Sequence, residues 1–411
     1  MNNDGRPPID DIRMRGFGKL TPVSEAIETI DRQRGDIGTE TIGLSSAANR
    51  VLAGEIIAPV NVPNFRRSAM DGFAVMASES TTIHQIVGEA KPGRPYRGSL
   101  QPGQAVRIMT GSPVPVGVDA VVPVENCRST SESVELLEPI RKGKHIALPG
   151  EDVRTGQKVL EKHRILRPQD IGLLSSLGIS EVTVIRKPHV KILTTGEELL
   201  PPGTPPTEWH ITDSNSVMLR ALIERDGGTV LEAKQLPDNP EMIRAEMGST
   251  GWDLLLVNGG TSVGIDDHAP RVLQSLTRDI IHGIDMKPGM PTGFGMLEDQ
   301  RMVFLLPGNP VACLFGYDLL ARRALRRMAM RSLSLPYAPL PVILRDPISS
   351  KAGRVDYVRL RINFDTNEAT PLPLSGAANL SSTVMAEGFV IVEEDSTGHE
   401  AGCQVIARLY E

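Results

Sequence analysis

The feature that most restricts the fold of this sequence is a regular alternation of apolar runs and helical segments between Pro188 and Arg331. Five runs are typical of strands: Val190–Leu193, Thr229–Ala233, Asp253–Val257, Ile280–Met286 and Val303–Leu306. Four segments between or after them are typical of helices: Ser214–Arg225, Pro240–Met247, His268–Leu276 and Pro310–Arg327. Such an alternation predicts a mostly parallel sheet covered by helices on both faces, which is a three-layer α/β/α domain spanning residues 188–331.

The sequence on either side of this domain has a different character. Residues 60–149 combine turn pairs such as Lys91-Pro92-Gly93 with short β-branched runs, which predicts a β-rich domain. We interpret the flanking residues 1–59 and 150–187 as one discontinuous, elongated mixed α/β domain into which the β-rich domain is inserted. After the proline-rich stretch Leu333–Pro341, short strands and turns predict a small C-terminal β domain within residues 332–411. The expected fold class is therefore multidomain, mixed α/β and β.

Composition argues against several classes of protein. The chain has 44 Lys and Arg against 50 Asp and Glu, so it lacks the basic excess of a nucleic-acid-binding protein. No apolar run approaches the roughly 18 residues of a membrane helix, and no apolar segment typical of a signal peptide follows the first residues. The three cysteines lie far apart, which argues against a thiolate zinc site. We expect a cytoplasmic protein that binds neither nucleic acid nor membrane.

A glycine-rich loop, Asn258-Gly259-Gly260-Thr261-Ser262-Val263-Gly264, follows the third predicted strand and precedes a helix. Glycine allows backbone N–H groups to approach a phosphate, and a helix N-terminus adds partial positive charge. The spacing matches neither the dinucleotide fingerprint nor the P-loop. A second corner, Leu306-Pro307-Gly308-Asn309-Pro310, follows the last predicted strand, and its Asn309 suits a helix cap. Each corner alone is explained as well by a tight turn, but together they favour an anion site at the carboxyl ends of the strands.

Acidic and hydroxyl side chains collect at similar predicted strand ends, in Thr194-Thr195-Gly196-Glu197-Glu198, Asp213-Ser214-Asn215, Asp238 and Asp266-Asp267. Any one of them is most simply a helix cap or a solvated charge. Several carboxylates beside a phosphate would repel it, so their grouping predicts a hard cation such as Mg²⁺, which takes few carboxylates and bridges to phosphates. Lys287, in the turn Lys287-Pro288-Gly289-Met290-Pro291, could face a phosphate or another oxyanion, although a lone lysine in a turn is usually solvated.

Taken together, these segments resemble the MoeA family, the molybdopterin molybdenumtransferases of molybdenum cofactor synthesis, to which a domain of the eukaryotic protein gephyrin is related. The resemblance extends from about Thr21 to the C-terminus, with its segments in the family's order. In sequence letters they are S-A-M-D-G-F-A-V, R-I-M-T-G-S-P-V-P-V-G-V-D-A-V-V, P-G-E-D-V, L-L-S-S-L-G-I, T-T-G-E-E-L, D-S-N, G-G-T-S-V-G-I-D-D, K-P-G-M-P and L-P-G-N-P-V-A. Each is short, but their joint occurrence is a specific signal.

The resemblance implies the four-domain organisation given above, with residues 188–331 as the molybdopterin-binding domain. It implies a homodimer whose site lies between the α/β domain of one subunit and the β-rich domain of the other. The implied reaction inserts molybdate into adenylylated molybdopterin with release of AMP, assisted by Mg²⁺. Other proteins of molybdenum cofactor synthesis are implied as possible partners.

The resemblance also implies roles for particular residues. The implied catalytic residues are Asp71, Thr110, Glu198, Asp238 and Asp267, and the implied magnesium ligands are Asp152, Glu198, Asp238 and Asp267. The residues implied to bind the substrate are Gly259, Gly260, Thr261, Ser262, Gly264, Lys287, Pro307, Gly308, Asn309, Arg359 and Ser382. Within this set, the glycine loop and the helix start at Asn309 would hold the pterin phosphate. Arg359 and Ser382 are the nearest matches to an Arg and a Ser that the family uses for the oxyanion.

Two departures from the family pattern leave alternatives open. Met290 stands where the family usually has a second lysine, and Arg66-Arg67 stand where an acidic–amide pair commonly occurs. Loss of that lysine puts the affinity for an oxyanion in doubt and keeps open a paralogue that binds pterin without chemistry. Two further alternatives are the preceding adenylyl-transfer enzyme, which resembles the α/β region alone, and a scaffold like gephyrin.

Overall fold

The structure is a computed structural model, and it describes residues 17–32, 35–77, 81–262, 264, 267–373 and 378–410. The chain divides into two units. One, here called the main unit, contains Met1–Glu40 and Ile185–Glu411, and the other, the N-terminal unit, contains Thr41–Val184. In the described ranges no helix is both long enough and apolar enough to cross a membrane.

The main unit is built on a six-stranded sheet. Its strands are β1 His189–Thr195, β2 Thr229–Leu236, β3 Leu254–Asn258, β4 Thr277–His282, β5 Gly293–Leu297 and β6 Met302–Leu306, in the order β2-β1-β3-β6-β5-β4. The first four in this order are parallel, with Leu254 paired to Val190 and to Met302. Strands β5 and β4 extend the sheet as antiparallel strands.

The two faces of this sheet are buried in two separate cores. Alternate residues of β3 divide between them, since Leu254 and Leu256 belong to one core while Leu255 and Val257 belong to the other. This division follows from the period of two in a strand, and it explains why β3 is a continuous apolar run. The covering helices are α1 Asn215–Arg225, α2 Pro240–Gly248, α3 Ala269–Leu276 and α4 Pro310–Gly316. A π-helical turn, Tyr317–Ala321, joins α4 to α5 Arg322–Met328, and a further helix spans Val23–Asp31.

In this domain one predicted strand differs from the structure, and one observed strand was not predicted. The predicted strand Ile280–Met286 ends at His282, because Gly283 has a φ of +84° and turns the chain away from the sheet. The antiparallel strand Gly293–Leu297 was not predicted, since its sequence G-F-G-M-L is poor in β-branched residues.

The C-terminal part of the main unit is a small β barrel. Its strands are Ala338–Leu344, Val355–Asn363, Glu368–Pro371, Gly388–Val392 and Gln404–Leu409, and their pairings form a closed ring. A short pair, Ile348–Ser349 with Gly398–His399, and a helix, Leu380–Val384, complete it. The barrel joins the α/β domain through the strand Met286–Lys287, which pairs with Val355 and Asp356.

A buried charged network also fixes the barrel against the helices. Tyr337, at the entrance to the barrel, donates a hydrogen bond to Asp318 at 2.6 Å and accepts one from Arg225 at 2.7 Å. Arg326 is paired with the fully buried Asp226 at 2.8 Å. Tyr337 therefore connects the entrance of the barrel to Arg225 and Asp318, which are themselves paired at 2.7 Å.

The N-terminal unit contains a second six-stranded sheet. In spatial order its strands are Ala120–Pro123, Gly72–Val75, Gln104–Ile108, Ile83–Ala90, Ser133–Leu136 and Cys127–Ser129. Smaller elements are the strand pairs Ile56–Ile57 with Lys158–Leu160 and Arg67–Ser68 with Ile146–Ala147, and the helix Pro168–Ser176. The strands Thr39–Gly43 and Glu181–Ile185 lie at the two ends of this unit in the sequence.

The predicted fold class is confirmed: the chain contains a three-layer α/β/α domain, a β-rich sheet domain with smaller mixed elements, and a small C-terminal β domain. The residue boundaries proposed above for the four domains stay predictions.

Candidate functional site

A cleft of about 570 Å³ opens at the carboxyl ends of the parallel strands in the main unit. Its lining comes from the loops after β1, β2, β3 and β6 and from the start of α1. The side chains and backbone that line it include Thr195, Glu198, Ile211, Asn215, Asp238, Asn258, Gly259, Gly260, Thr261, Ser262, Asp267, Pro307, Gly308, Asn309 and Ala378. The sequence-predicted phosphate loop, the second corner and the three acids of the α/β domain therefore meet in one place.

The two glycines that open the loop are required by close packing against the end of β1. Gly259 has a φ of +85°, and a Cβ there would lie 2.3 Å from the backbone oxygen of Thr195. Gly260 has a φ of +57°, and its Cβ would lie 2.6 Å from the Thr195 hydroxyl oxygen. Side chains at either position would therefore push the loop away from the sheet. With glycine, the backbone itself forms the wall of the cleft.

The loop leaves backbone donors available. Gly259 donates its N–H to Leu306 at 3.2 Å, and Gly264 donates its N–H to the Asp267 carboxylate at 2.5 Å. In contrast, the N–H groups of Gly260, Thr261 and Ser262 have no hydrogen-bond partner within the described part of the chain. Unpaired N–H groups that line a concave surface suit an anionic oxygen.

Two buried amides hold the surrounding loops together. Asn215, at the first position of α1, donates to the side-chain oxygen of Asn258 at 2.9 Å and to the Gly308 carbonyl at 2.7 Å. Asn258 donates in turn to the Pro307 carbonyl at 2.7 Å. The chain of hydrogen bonds thus connects the starts of two helices with the end of β3. Sequence reasoning grouped Thr195 and Asn215 with the polar residues near the predicted strand ends but gave neither a role in the site, because only their tertiary neighbours show that they are buried there.

The predicted acids Glu198, Asp238 and Asp267 line the cleft, together with a fourth carboxylate, Asp213, which accepts the backbone N–H of Ser216 at 3.0 Å. Burial raises the pKa of Asp238, and the nearby negative charges of Glu198 and Glu197 raise it further. A hydrogen bond with Thr195 and the charge of His268 lower the pKa, but the raising effects are larger. No three metal-ligating side chains of the described residues form a ready-made cage. The chemistry of this donor set nevertheless fits Mg²⁺, which binds through one or two carboxylates, waters and substrate phosphates rather than through an all-protein cage.

Arg359, a second residue predicted to bind an anion, lies in the same unit. Its side chain is only 2% exposed, and it donates to the Ser382 hydroxyl and to the Pro373 carbonyl at 3.0 Å. The Nε of Arg359 has no partner, and no carboxylate of the described residues forms an ion pair with this arginine. Burial lowers its pKa. Ser382 donates to Asn379, the neighbour of the cleft-lining Ala378, so this arginine belongs to the surroundings of the cleft.

The structure places Lys287 outside the set that lines the cleft. It is exposed on the short strand Met286–Lys287, beside Asp356 of the barrel. Met290, in the same turn, is also exposed.

The remaining predicted residues lie in the N-terminal unit. Asp71 and Thr110 are adjacent, because the Thr110 N–H donates to the Asp71 carboxylate at 2.7 Å, and both side chains are exposed. Asp152 is also exposed, on a loop whose backbone bonds to Val62 at 3.0 Å. Arg66 donates to the Val118 carbonyl at 2.9 Å, within the same unit.

Comparison with known proteins agrees with this architecture. Residues 21–178 match a family model described as the MoeA N-terminal region (domain I and II), and residues 341–408 match the MoeA C-terminal region (domain IV). The intervening residues 191–327 match a probable molybdopterin binding domain. Molybdopterin molybdenumtransferase 2 of Mycobacterium tuberculosis H37Rv is 33% identical over 381 residues, covering 89% of this chain and 93% of the relative.

The chain belongs to the MoeA family. The molybdopterin molybdenumtransferase of Haemophilus influenzae is also 33% identical, over 89% of this chain and 92% of its own length. Among solved structures, the MoeA protein of Pyrococcus horikoshii matches with a TM-score of 0.80 at 27% identity, covering 96% of this chain and 100% of that one. In this MoeA chain, every residue that lines the cleft except Ala378 lies within residues 191–327, the matched molybdopterin-binding region.

Proposed function

We propose that this MoeA protein is a molybdopterin molybdenumtransferase that inserts molybdate into adenylylated molybdopterin and releases AMP. One observation carries the proposal: among the described residues, a cleft with unpaired backbone N–H groups lies in the same unit as a buried arginine that has no carboxylate partner there. The two features suit the two anions of this reaction, a phosphoric anhydride and a small metal oxyanion. The same activity is supported by the relatives named molybdopterin molybdenumtransferase.

The cleft would hold the phosphate part of the substrate. The N–H groups of Gly260, Thr261 and Ser262 would bind phosphate oxygens, and the corner at Gly308 and Asn309 would close the opposite wall. The amides of Asn215 and Asn258 keep these loops in register, so the donors are arranged before the substrate binds.

The acids of the cleft would hold a magnesium ion. Glu198, Asp238 and Asp267 are the residues that would contact it, and the ion would supply positive charge to the phosphoric anhydride. The carboxylates themselves would orient the oxygen that attacks the anhydride, so that the P–O bond to AMP breaks in line with the attack.

The buried guanidinium of Arg359 would hold molybdate. A charge removed from water without a partner is unfavourable, and an oxyanion would satisfy both the charge and the unpaired Nε. Ser382, already bonded to the guanidinium, would add a hydroxyl contact. Lys287 would offset negative charge from a more exposed position.

A second copy of the chain would complete the site. We propose a homodimer in which Asp71, Thr110 and Asp152 of one subunit act at the cleft of the other. Mixing an Asp267→Asn variant with an Asp71→Asn variant, each inactive alone, should restore about a quarter of wild-type activity in reassembled dimers, because one intact site forms per heterodimer. Complete lack of complementation would restrict the site to a single chain.

The function is tested by incubating purified protein with adenylylated molybdopterin, Mg²⁺ and molybdate. We expect release of AMP together with active molybdenum cofactor. Neither product should form without Mg²⁺. If the protein consumes ATP instead, it is the preceding adenylyl-transfer enzyme. If it binds molybdopterin but releases no AMP, it is a paralogue that binds pterin without chemistry. AMP release by the Met290→Lys variant would then show that the missing lysine is the cause of the inactivity.

We further propose that the enzyme works in the cytoplasm, where other proteins of molybdenum cofactor synthesis would supply its adenylylated substrate and receive its product.

A further inference from the structure

His282 lies behind the glycine loop, at the end of β4. Its Nε2 is 2.8 Å from the backbone oxygen of Thr261, and because a carbonyl only accepts hydrogen bonds, the imidazole must be the donor. The ring packs edge-on against Phe17, with ring centroids 5.0 Å apart, and the backbone of Pro291 also lies against it. Thr261 lines the cleft, whereas His282 is not among the residues that do.

This hydrogen bond determines which way the following N–H points. A peptide unit is planar and trans, so its C=O and N–H point in opposite directions. The oxygen of Thr261 faces His282, and the N–H of Ser262, in the same peptide unit, therefore points away from His282. Ser262 lines the cleft, and its N–H has no partner in the described ranges.

The neighbouring peptide unit is held in a different way. The oxygen of Gly260 accepts a hydrogen bond from the backbone N–H of Ala269 at 3.3 Å, which fixes the direction of the Thr261 N–H without any side chain. The Thr261–Ser262 unit is thus the one in this part of the loop whose direction depends on a side-chain donor.

The environment of His282 suits a permanent donor. Burial lowers the pKa of the imidazole, against the opposing effect of hydrogen bonding to the backbone of Thr261 and Pro291 and of the charge of Asp267. Both the protonated ring and the neutral tautomer with its proton on Nε2 can donate to the Thr261 carbonyl. Thr261 is 2% exposed. Without the donor its buried carbonyl would lack a partner, and the peptide unit would rotate toward another donor or toward water.

We propose that His282 is a positioning residue that directs the Ser262 N–H toward a phosphate of the substrate by holding the Thr261 carbonyl. The inference rests on the proposed function, in which a phosphorylated substrate occupies this cleft. It adds a residue that touches no substrate atom itself.

Three variants separate the hydrogen bond from packing. His282→Phe keeps a ring against Phe17 but has no donor, His282→Gln replaces the ring with an amide that can donate, and Phe17→Leu loosens the packing but leaves the imidazole in place. The probe is inorganic pyrophosphate with Mg²⁺, measured by calorimetry on the full chain, because it mimics the anhydride and requires no turnover.

We expect His282→Phe to weaken pyrophosphate binding about tenfold, which is typical for one lost hydrogen bond to a charged group. His282→Gln and Phe17→Leu should stay within about threefold of the wild type. In the transferase assay, His282→Phe should raise KM for adenylylated molybdopterin while leaving kcat nearly unchanged, as expected for an interaction made equally in the ground and transition states.

The inference is overturned if His282→Phe binds pyrophosphate like the wild type, if His282→Gln is as weak as His282→Phe, or if Phe17→Leu shows the same loss. It is also overturned if the wild-type protein does not bind pyrophosphate. A wild type that binds pyrophosphate normally but releases no AMP would instead refute the proposed function and leave the role of His282 intact.

Discussion

The cleft and the buried surroundings of Arg359, here called the Arg359 pocket and consisting of Arg359, Pro373 and Ser382, are the two proposed anion sites of one unit, and they are built on opposite principles. The cleft offers backbone N–H groups beside four carboxylates, so its field is unfavourable to an anion until a cation arrives. The Arg359 pocket offers one buried guanidinium and a hydroxyl, and none of the carboxylates in the described ranges pairs with this guanidinium. The cleft should therefore bind its anion only with a divalent cation, whereas the pocket should bind an oxyanion directly.

The difference also affects stability. The loops of the cleft are held by paired amides, and the cost of its acids is reduced by partial exposure to water. The pocket keeps a charge almost fully buried, which is unfavourable in the absence of ligand. A buried charge of this kind lowers the folding stability of the protein, and groups that are unfavourable without a ligand are typical of binding sites.

The strongest test of this comparison is Arg359→Met. Loss of the guanidinium should lower molybdate-dependent activity by at least about a hundredfold, because the oxyanion would lose its charged partner. The free energy of unfolding should stay the same or rise, since an apolar side chain replaces a buried charge without a partner. AMP-release assays and urea denaturation measure the two effects.

Arg361→Met is the matched control for that variant. Arg361 lies two residues further along the same strand and is exposed. Its loss should change neither activity nor stability appreciably. A fall in the stability of Arg359→Met with unchanged molybdate dependence would show that Arg359 is a structural residue.

The sequence predicted most of the α/β domain because the signals there are local. A strand such as Leu254–Asn258 is buried on both faces and is recognisable as an apolar run without any knowledge of its neighbours. The same holds for the glycine loop, whose composition already indicates close backbone packing. The strand Gly293–Leu297 was missed because its pairing with β6 and β4, not its composition, makes it a strand.

The parts of the site that sequence could not predict depend on tertiary neighbours. Asn215 is an ordinary polar residue at a helix start until Asn258 and the Gly308 carbonyl surround it. His282 lies in a predicted strand, and nothing local shows that its donor meets a loop about twenty residues earlier. The sequence also does not show which charges are paired. Only the three-dimensional structure shows that no carboxylate of the described residues forms an ion pair with Arg359.

The next largest effect is expected from Gly260→Ala, which tests the cleft. The added Cβ would meet the Thr195 hydroxyl at 2.6 Å in a left-handed backbone conformation, so the loop would have to move. We expect affinity for pyrophosphate with Mg²⁺ to fall about tenfold or more and the protein to lose about 1–2 kcal/mol of stability.

Gly172→Ala is the control for that substitution. Gly172 lies in the helix Pro168–Ser176, has no neighbour near its missing Cβ, and should gain up to about 1 kcal/mol from better helix propensity. Unchanged pyrophosphate binding in Gly260→Ala would show that the glycine loop is not part of the anion site. The contrast between the cleft and the Arg359 pocket would then no longer hold.

A smaller effect, on AMP binding with and without Mg²⁺, should test directly whether the acids of the cleft make its anion binding depend on a cation. Asp238→Asn removes one negative charge from the cleft, so AMP should bind several-fold more tightly without Mg²⁺ and gain less when Mg²⁺ is added. Because burial and nearby acids raise the pKa of Asp238, the wild type should approach this behaviour as the pH falls below neutrality, earlier than an ordinary aspartate would. Calorimetric titrations of AMP with and without Mg²⁺ measure this, and a stronger dependence on Mg²⁺ in the variant would contradict it.

The last comparison concerns Asp170, a buried charge that, unlike Arg359, has charged partners. Burial alone would raise the pKa of Asp170, but hydrogen bonds from Arg164 and Arg167, at 2.9 and 3.0 Å, outweigh it and hold the pKa below its usual value. The stability that follows from a lowered pKa is fully present above the unfolded value of about 3.9 and is lost as the pH falls further.

Asp170→Asn should therefore lower the free energy of unfolding by about 1–3 kcal/mol at pH 7, and the difference from the wild type should shrink as the pH is lowered through about 4. Arg359→Met should show no such dependence, because its guanidinium has no acid partner to titrate. Denaturation of both variants at a series of pH values compares a paired buried charge with an unpaired one. An Asp170→Asn deficit that persists undiminished at pH 3 would show that its hydrogen-bond geometry, rather than its charge, stabilises the helix start.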